Sequence, residues 1–360
     1  MKKSRNRIVL LAVVVAVAAL VWFGRGRIHF NWHVFVEQLQ LADWKRIAVA
    51  TALIWLGLGV RAIRWALFMK PTRRVRSTTV LGSQVIGFTC VALFGRLADL
   101  VRPYLVSRRT TTPLASQIAV YTVERMFDMG SVALIFSTVL LFAPDRHTLP
   151  RPDLINRAAL GGLIVTLGLA FFAMLARLAG RSFAGAARRL LGAVSPKLGE
   201  AVSEKILAFR DGLNAIGSLR DFVVAVALSL GMWGMIAGAY LETTRAFTAS
   251  PELAGMTLSR CMLLMAASMG SSIIQLPVIG WFTQIALTGA AMEAFLHVAP
   301  EPALGCAAVL LIVTFMSIIP AGLVWARFEH VSLKKISEES EHAGEELAHH
   351  SAPAQEVQAG

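Results

Sequence analysis

The fold of this chain is decided by residues 78–107, which read TTVLGSQVIGFTCVALFGRLADLVRPYLVS. The first half of this stretch is apolar enough to enter a membrane, whereas Arg96, Asp99 and Arg102 interrupt the second half. The stretch either crosses the bilayer or dips into it and returns on the side from which it entered. The charges near it separate these two topologies.

The distribution of basic residues favours the second topology. A crossing would place the arginines of this stretch outside, together with residues 176–220, which carry eight basic and three acidic residues. Lys and Arg are normally retained on the cytoplasmic side of a membrane protein. A re-entrant hairpin restores that bias, because both basic segments then fall in the cytoplasm. We therefore predict a re-entrant hairpin at residues 78–107.

The rest of the chain contains several apolar segments near or above the roughly 20 residues that a helix needs to cross a bilayer. Residues 255–299 form a second broken segment, interrupted by Gln275, Pro277, Gly280 and Gln284, and either cross twice or form another hairpin. Two broken segments that enter from opposite faces are typical of an inverted repeat around a midplane site. The predicted spans are residues 8–23, 47–69, 114–142, 158–175, 222–241 and 302–326.

The predicted fold is therefore an all-α polytopic membrane protein with about 6–8 transmembrane helices, re-entrant hairpins and an inverted repeat. Residues 1–330 form its integral membrane domain, with a helix at the outer interface over residues 28–44. Residues 181–219 form a cytoplasmic amphipathic segment, which lies on the inner leaflet or is a solvated connector. Residues 331–360 form an acidic tail that we expect to be disordered. Both termini are expected in the cytoplasm.

The composition excludes a water-soluble globule, because 56% of the residues are hydrophobic and only 16% are charged. The 35 basic residues exceed the 22 acidic ones, but they cluster in short connections between apolar segments, which favours anionic lipid over nucleic acid as the partner. Cys90, Cys261 and Cys306 lie inside apolar segments and are expected to be packing residues. No known catalytic pattern occurs, and residues 57–62, which have the spacing of a dinucleotide-binding fingerprint, lie inside a predicted span with no strand before them. We therefore expect no cofactor, no metal and no enzymatic activity.

Three ionisable residues, Glu124, Arg125 and Asp128, lie within the predicted span 114–142. A charge near the centre of a bilayer costs about 2.5–3.5 kcal/mol on insertion scales, so the three require compensation. Glu124 and Asp128 share one face of a helix. They form either an ion-pair cluster that fixes one helix against another, or a site for a lipid head group or a proton.

The hairpin carries Arg96, Asp99 and Arg102 at intervals of three residues, which places them along one side of a helix. A guanidinium can hold a phosphate through two hydrogen bonds, so these arginines could bind a phospholipid head group, or could anchor the hairpin at the inner surface. Arg61 and Arg64 are weaker candidates for such a site, because both lie within two turns of the cytoplasmic end of their span and could snorkel to the interface.

Gln275 and Gln284 flank the break in the second segment. Their amides could cap the backbone groups that the break leaves free, or could line the same cavity from the second half of the chain.

Two motifs resemble the flippase-like family of lysylphosphatidylglycerol synthase transmembrane domains. The sequence Gly95-Arg96-x-x-Asp99-x-x-Arg102 is similar to the family's Gly-Arg-x-Gly-Glu-x-x-Arg, and Glu124-Arg125-x-x-Asp128 to its Glu-Arg-x-x-Asp. This chain has Ala98 and Asp99 where the family has glycine and glutamate. A later Pro-Gly-Gly-x-Gly-x-x-Glu element remains only as Pro277, Gly280 and Gln284. The resemblance covers roughly residues 5–330 and implies a re-entrant, inverted-repeat fold. It does not imply synthase activity.

The leading hypothesis is translocation of an anionic or polyprenyl-linked lipid across a bacterial inner membrane, with a phosphate-bearing head group in a polar cavity. One alternative is a membrane-embedded transferase that uses a lipid-linked donor and a carboxylate as general base. Another is a scaffold for a lipid-synthesis enzyme, in which the charged residues are structural. The predicted substrate-binding residues are Arg96, Asp99, Arg102, Glu124, Arg125, Asp128, Gln275 and Gln284.

Overall fold

The computed structural model describes residues 31–192, 195–196, 199–200, 203, 218–271, 279–333, 335–340 and 342–343. The side chains of residues 96, 97, 172–181, 183, 187, 191, 271 and 279 are outside that description. The predicted first span at residues 8–23 lies outside the described residues, and so do Gln275 and Pro277.

The described residues form helices and no strands. Polar N-cap residues precede several of them. The side chain of Asp43 accepts hydrogen bonds from the backbone N–H groups of Lys45 and Arg46, and the hydroxyl of Ser218 accepts one from the backbone N–H of Asp221 at the start of the helix from Leu219. Three short 3₁₀ helices, Arg96–Leu100, Arg146–Thr148 and Met316–Ile318, connect α-helices in this part of the chain. The α-helices are α1 Trp32–Gln40, α2 Trp44–Met69, α3 Ser77–Phe94, α4 Val101–Thr110, α5 Leu114–Phe142, α6 Pro152–Gly192, α7 Leu219–Arg245, α8 Pro251–Ala254, α9 Leu258–Ser271, α10 Ile279–Leu296, α11 Pro300–Thr314 and α12 Ile319–Phe328.

Six helical segments in the described ranges are long and apolar enough to cross a membrane. Large apolar side chains on their outer surfaces, such as Leu167 and Phe171 of α6, are exposed, as expected where lipid tails cover the protein. This arrangement confirms the prediction of an all-α polytopic membrane protein. The six are Trp44–Met69, Ser77–Phe94, Leu114–Phe142, Pro152–Phe171, Leu219–Arg245 and Pro300–Phe328.

Helices α2 and α7 pack along each other in opposite directions. The ion pair between Arg46 and Glu242, 2.8 Å long, joins the start of α2 to the end of α7. The pair between Lys70 and Asp221, 2.9 Å long, joins the opposite ends. These two ion pairs fix the antiparallel alignment of α2 and α7.

The hydrophobic core includes residues of α2, α7, α9, α10 and α11. Cys261 and Cys306 belong to it, and Cys90 belongs to a smaller cluster that joins the hairpin to α12. All three cysteines are free and buried, which confirms that they are packing residues.

Residues 78–107 form a helical hairpin, as predicted. The chain turns at Gly95, whose φ of 78° favours glycine, so that α4 returns along α3. Near the open end, Nη1 of Arg109 donates to the carbonyl oxygen of Thr79 at 3.0 Å. Halfway along, Gly87 leaves room for Arg102, because a Cβ at position 87 would collide with that side chain. The two ends of the hairpin therefore lie side by side, and its entry from the cytoplasmic leaflet stays a prediction.

The second broken segment also consists of two packed helices. Helices α9 (Leu258–Ser271) and α10 (Ile279–Leu296) flank residues 272–278, which lie outside the described residues, so the hairpin stays a prediction here. The indole of Trp281 at the start of α10 donates to the carbonyl oxygen of Ala92 in α3 at 2.9 Å, so the two broken segments touch. Each half of the chain thus has a long helix, a broken segment and another long helical segment: α2, the hairpin and α5 in the first half, and α7, α9–α10 and α11–α12 in the second. The two leading helices, α2 and α7, run antiparallel, as expected for an inverted repeat.

Helix α6 departs from the predicted boundaries. It runs without a break from Pro152 to Gly192, and so continues through the start of the segment predicted at residues 181–219. No proline interrupts this sequence, so nothing in it ends the helix at the membrane surface. Most of residues 193–217 lie outside the described residues.

The start of the acidic tail is ordered, contrary to the prediction of disorder from residue 331. Residues 335–340 are helical, and Ile336 and Ser340 are buried. The hydroxyl of Tyr104 on α4 donates to Glu339 at 3.0 Å, and Ile336 packs in the cluster beneath the hairpin. Ile336, with Val331 and Leu333 packed beside it, and the paired carboxylate of Glu339 thus hold this segment against the hairpin.

Candidate functional site

Five charged side chains meet between α2, α4 and α5. Residues three or four apart share a helix face, so α2 presents two arginines together and α5 presents two carboxylates. The hairpin brings a third arginine to them on α4. All five are buried, and none is more than 7% exposed. We refer to these residues as the buried charge cluster: Arg61, Arg64, Arg102, Glu124 and Asp128.

Glu124 is the centre of this cluster, because it contacts all three guanidinium groups. Its Oε1 accepts from Nη1 of Arg61 at 2.8 Å and from Nη2 of Arg64 at 3.1 Å. Its Oε2 accepts from Nη1 of Arg102 at 3.4 Å. One carboxylate therefore joins the long helix α2 to the returning arm of the hairpin.

Asp128 connects the same cluster to α7. Its Oδ1 accepts from Nη2 of Arg64 at 2.6 Å and from the indole of Trp233 at 3.3 Å, and its Oδ2 lies 3.4 Å from Nη1 of Arg61. The other Nη of Arg64 donates to the hydroxyl of Ser229 at 2.6 Å. The cluster thus fixes four helices from both halves of the chain.

The cluster contains one more positive charge than negative. Three guanidinium groups face two carboxylates. The neighbouring carboxylate of Asp99 forms an ion pair with Arg125 instead, with 3.4 Å between Asp99 Oδ1 and Arg125 Nη2. Asp99 is 4.0 Å from Arg102, too far for a hydrogen bond. Including this pair, four arginines face three carboxylates. An unbalanced charge away from water is costly, so this excess favours the approach of an anion.

Arg102 makes limited use of its donors. Besides Glu124 it donates only to the side-chain oxygen of Gln84, at 3.3 Å, and its Nε and Nη2 have no hydrogen-bond partner in the described structure. The rings of Phe88 and Tyr121 face the guanidinium at 4.6 and 5.1 Å. Aromatic faces stabilise the charge but accept no strong hydrogen bond.

A cavity of about 470 Å³ lies beside the cluster, within the usual range of ligand sites. From the first half of the chain it is lined by Arg61, Asp99 and Arg125. From the second half it is lined by Tyr240, Ser268 and Gln284, among apolar side chains. We refer to it as the central cavity. It brings charged and polar groups from both halves to one apolar-walled space.

A larger groove, of about 720 Å³, lies between α4 and the start of the tail. Its cations share two carboxylates: Arg109 pairs with Glu329, and Arg108 and Lys335 both pair with Glu339, at 3.3 and 3.8 Å. The central cavity is the better candidate because both halves of the chain line it and the buried charge cluster lies beside it.

The predicted site residues divide into two groups. Asp99, Arg125 and Gln284 line the central cavity. Arg102, Glu124 and Asp128 lie in the cluster behind its wall. The backbone of Arg96 opens the 3₁₀ helix before α4, but its side chain is outside the described residues, as is Gln275.

Arg61 and Arg64 were the weaker candidates by sequence, but the structure buries both inside the protein rather than letting them snorkel. Arg64 is fully buried and Arg61 is 7% exposed, and both pair with Glu124 and Asp128. The sequence did contain a signal for this pairing. Residues three or four apart lie on one face of a helix, so Arg61 and Arg64 form a pair of cations that matches the pair of carboxylates Glu124 and Asp128 on another helix.

Comparison with known proteins places the chain in a family. It matches the family described as "Lysylphosphatidylglycerol synthase TM region" over residues 9–342. The chain belongs to this family, which indicates a function related to membrane lipids. No match was found among curated proteins or among solved structures.

Proposed function

We propose that this protein translocates an anionic lipid with a phosphate-bearing head group across a bacterial inner membrane. The head group occupies the central cavity while the acyl or polyprenyl chains remain in hydrocarbon. The observation that carries this proposal is the excess positive charge of four arginines over three carboxylates beside a cavity that both halves of the chain line.

Arg61 and Arg125 are the residues that would hold the phosphate, because their side chains reach the cavity. Arg125 is the more accessible, with 40% of its side chain exposed. A guanidinium stays charged at any working pH and can bind two phosphate oxygens at once. Arg102, behind them, adds to the positive potential without touching the head group.

Transport is favoured over a transferase reaction by the state of the carboxylates. Glu124 and Asp128 each contact two or more guanidinium groups, and Asp99 pairs with Arg125. A carboxylate whose oxygens already contact neighbouring guanidinium groups is not positioned to take a proton from a substrate. The cavity therefore offers binding groups but no free base among the described residues.

Reconstituted vesicles test the proposal. The full chain is inserted into vesicles that contain fluorescent phosphatidylglycerol, and movement between leaflets is followed by quenching from outside. Arg125→Gln should slow this movement about 10- to 100-fold, because a hydrogen bond between charged groups is worth about 1.5–3 kcal/mol.

Arg46→Gln is the matched control, since it removes an arginine and an ion pair from α2 at a distance from the cavity. It should move lipid as fast as the wild type. The proposal would be contradicted if no labelled anionic lipid moved in a protein-dependent way, or if Arg125→Gln moved lipid as fast as Arg46→Gln. A new covalent lipid product would favour the transferase instead.

A further inference from the structure

The end of the second half of the chain contacts both arms of the hairpin in the first half. Helix α12 packs closely along α3, because a Cβ at Gly82 would collide with Trp325 and a Cβ at Gly322 would collide with Thr89. Beyond α12 the chain continues onto the other arm, α4. We refer to the described residues of 329–340 as the strap. One continuous piece of the second half therefore holds the hairpin from both sides.

The strap is fastened to α4 by an apolar contact and a charged one. Ile336 is only 4% exposed and belongs to the same buried cluster as Leu105. The carboxylate of Glu339 accepts a hydrogen bond from the hydroxyl of Tyr104 at 3.0 Å and pairs with Arg108 at 3.3 Å. These contacts join residues that lie more than 200 positions apart in the sequence, so they form only in the folded chain.

Helix α4 connects the strap to the functional site. Near its start, Arg102 pairs with Glu124 of the buried charge cluster at 3.4 Å, and the 3₁₀ helix before it carries Asp99, which lines the central cavity. The strap contacts Tyr104 and Arg108 of the same helix. Because α4 has only ten residues and is about 15 Å long, a contact at one end restricts movement of the other.

The strap opposes separation of the two halves on its own side of the membrane. A transporter built from inverted repeats opens its midplane site to one side at a time, by rocking or gating of one repeat against the other. Movement of the hairpin away from α12 would break the contacts of Ile336 and Glu339. The free energy of opening on this side therefore includes the cost of releasing the strap.

We propose that the strap is an autoinhibitory contact, which holds the hairpin closed and slows the passage of lipid until it is released from α4. The effect on transport rests on the proposed function, whereas the effect on the hairpin does not. Because the side chain of Arg108 is 60% exposed, salt can screen its pair with Glu339, so the strap should hold less tightly at high ionic strength.

Hydrogen exchange of the full chain in lipid nanodiscs tests the hold on the hairpin without measuring transport. Backbone amides of residues 104–110 should exchange about 2- to 5-fold faster in Glu339→Gln, the effect of losing a partly exposed ion pair. In Ile336→Ala they should exchange more than about tenfold faster, because that change also removes a buried apolar contact. Glu338→Gln removes the neighbouring, exposed carboxylate and should match the wild type.

Salt gives a second reading of the same contact. Raising the concentration of KCl from about 0.05 M to about 0.5 M should speed exchange of these amides in the wild type and should have little effect in Glu339→Gln, where the pair is already absent.

The vesicle assay tests the effect on transport. Glu339→Gln should move anionic lipid about 2- to 5-fold faster than the wild type, because the cost of opening falls by the same amount, and Glu338→Gln should move it at the wild-type rate. The opposite manipulation joins Arg108→Cys to Glu339→Cys with a reducible bifunctional thiol reagent, since the three native cysteines are buried. Cross-linking should slow lipid movement, and reduction should restore it.

Unchanged exchange of α4 in both Glu339→Gln and Ile336→Ala would overturn the inference. So would a variant that exchanges faster but moves lipid no faster than a transporting wild type, or a cross-linked chain that moves lipid as fast as the reduced one. A wild type that moves no lipid, together with the expected changes in exchange, would overturn the proposed function and leave the strap's hold on the hairpin in place.

Discussion

Replacing Glu124 by Gln should destabilise the protein more than any other removal of a single ion pair. Glu124 is 1% exposed and contacts three guanidinium groups at 2.8, 3.1 and 3.4 Å. The substitution keeps the shape of the side chain but raises the cluster from one excess positive charge to two. Breaking a buried ion pair costs about 3–5 kcal/mol, because it leaves charges buried without compensation. We expect a loss of that size in the free energy of unfolding.

A second substitution should recover part of the loss. Arg102→Met removes the arginine whose hydrogen bonds are both long, at 3.3 and 3.4 Å, and with Glu124→Gln it returns the cluster to one excess positive charge. Interacting residues of this kind show coupling energies of about 0.5–3 kcal/mol. The double variant should therefore be more stable than the Glu124→Gln single variant by an amount in that range.

Unfolding by SDS in mixed micelles, followed by tryptophan fluorescence, measures both effects. Glu242→Gln is the control, because it removes the half-exposed partner of Arg46, and such pairs contribute about 0–1 kcal/mol. The reasoning is refuted if Glu124→Gln shifts the midpoint no further than the control does. It is also refuted if the double variant is no more stable than the single one.

Three further predictions concern the loops, the hairpin and the topology. Burial acts to raise the pKa of Asp145, but hydrogen bonds from Ser259 and Thr257 outweigh it and hold the pKa below its ordinary value. The stability that this carboxylate adds is therefore present above its unfolded pKa of about 3.9 and is lost as pH falls through the folded value. In Asp145→Asn, the midpoint of thermal unfolding should therefore change less between about pH 4 and lower pH than it does in the wild type. Gly87→Ala should cost about 1–3 kcal/mol by colliding with Arg102, whereas Gly59→Ala in open space should be neutral or stabilising; equal midpoints would contradict this. Cysteines placed at exposed Arg108 and Ser182 should both react with an impermeant thiol reagent only from the cytoplasmic side; labelling of either from outside would contradict the hairpin topology.

The sequence predicts the helices and the hairpin well because both depend on local properties. Apolar length defines a span, and the basic residues at 108 and 109 indicate on which side the chain must return. The pairing of Glu124 with Asp128 on one face follows from helix geometry alone. Each of these features can be read within a window of a few tens of residues.

The partners of the cluster could not be predicted in the same way. Arg61 and Arg64 lie close enough to a helix end for snorkelling, and hydropathy does not reveal that α5 faces them with two carboxylates some 60 residues later in the chain. The tail shows the same limit, because the burial of Ile336 depends on a surface that α3 and α4 form more than 200 residues earlier in the chain. Pairing across long separations is decided by packing, which no local pattern contains.

The arrangement of charge reconciles two requirements that oppose each other. A fully neutralised cluster would hold the helices together but would attract no anion, whereas arginines without partners could not be buried at all. Here Glu124 and Asp128 neutralise the charge of the buried Arg64, and the hydrogen bond from Trp233 to Asp128 connects the two halves of the chain. Arg61 and Arg125 remain at the wall of the cavity, where the excess charge can act on a head group. The carboxylates thus maintain the fold, while the two arginines at the cavity wall lie where the proposed phosphate-bearing head group would reach them.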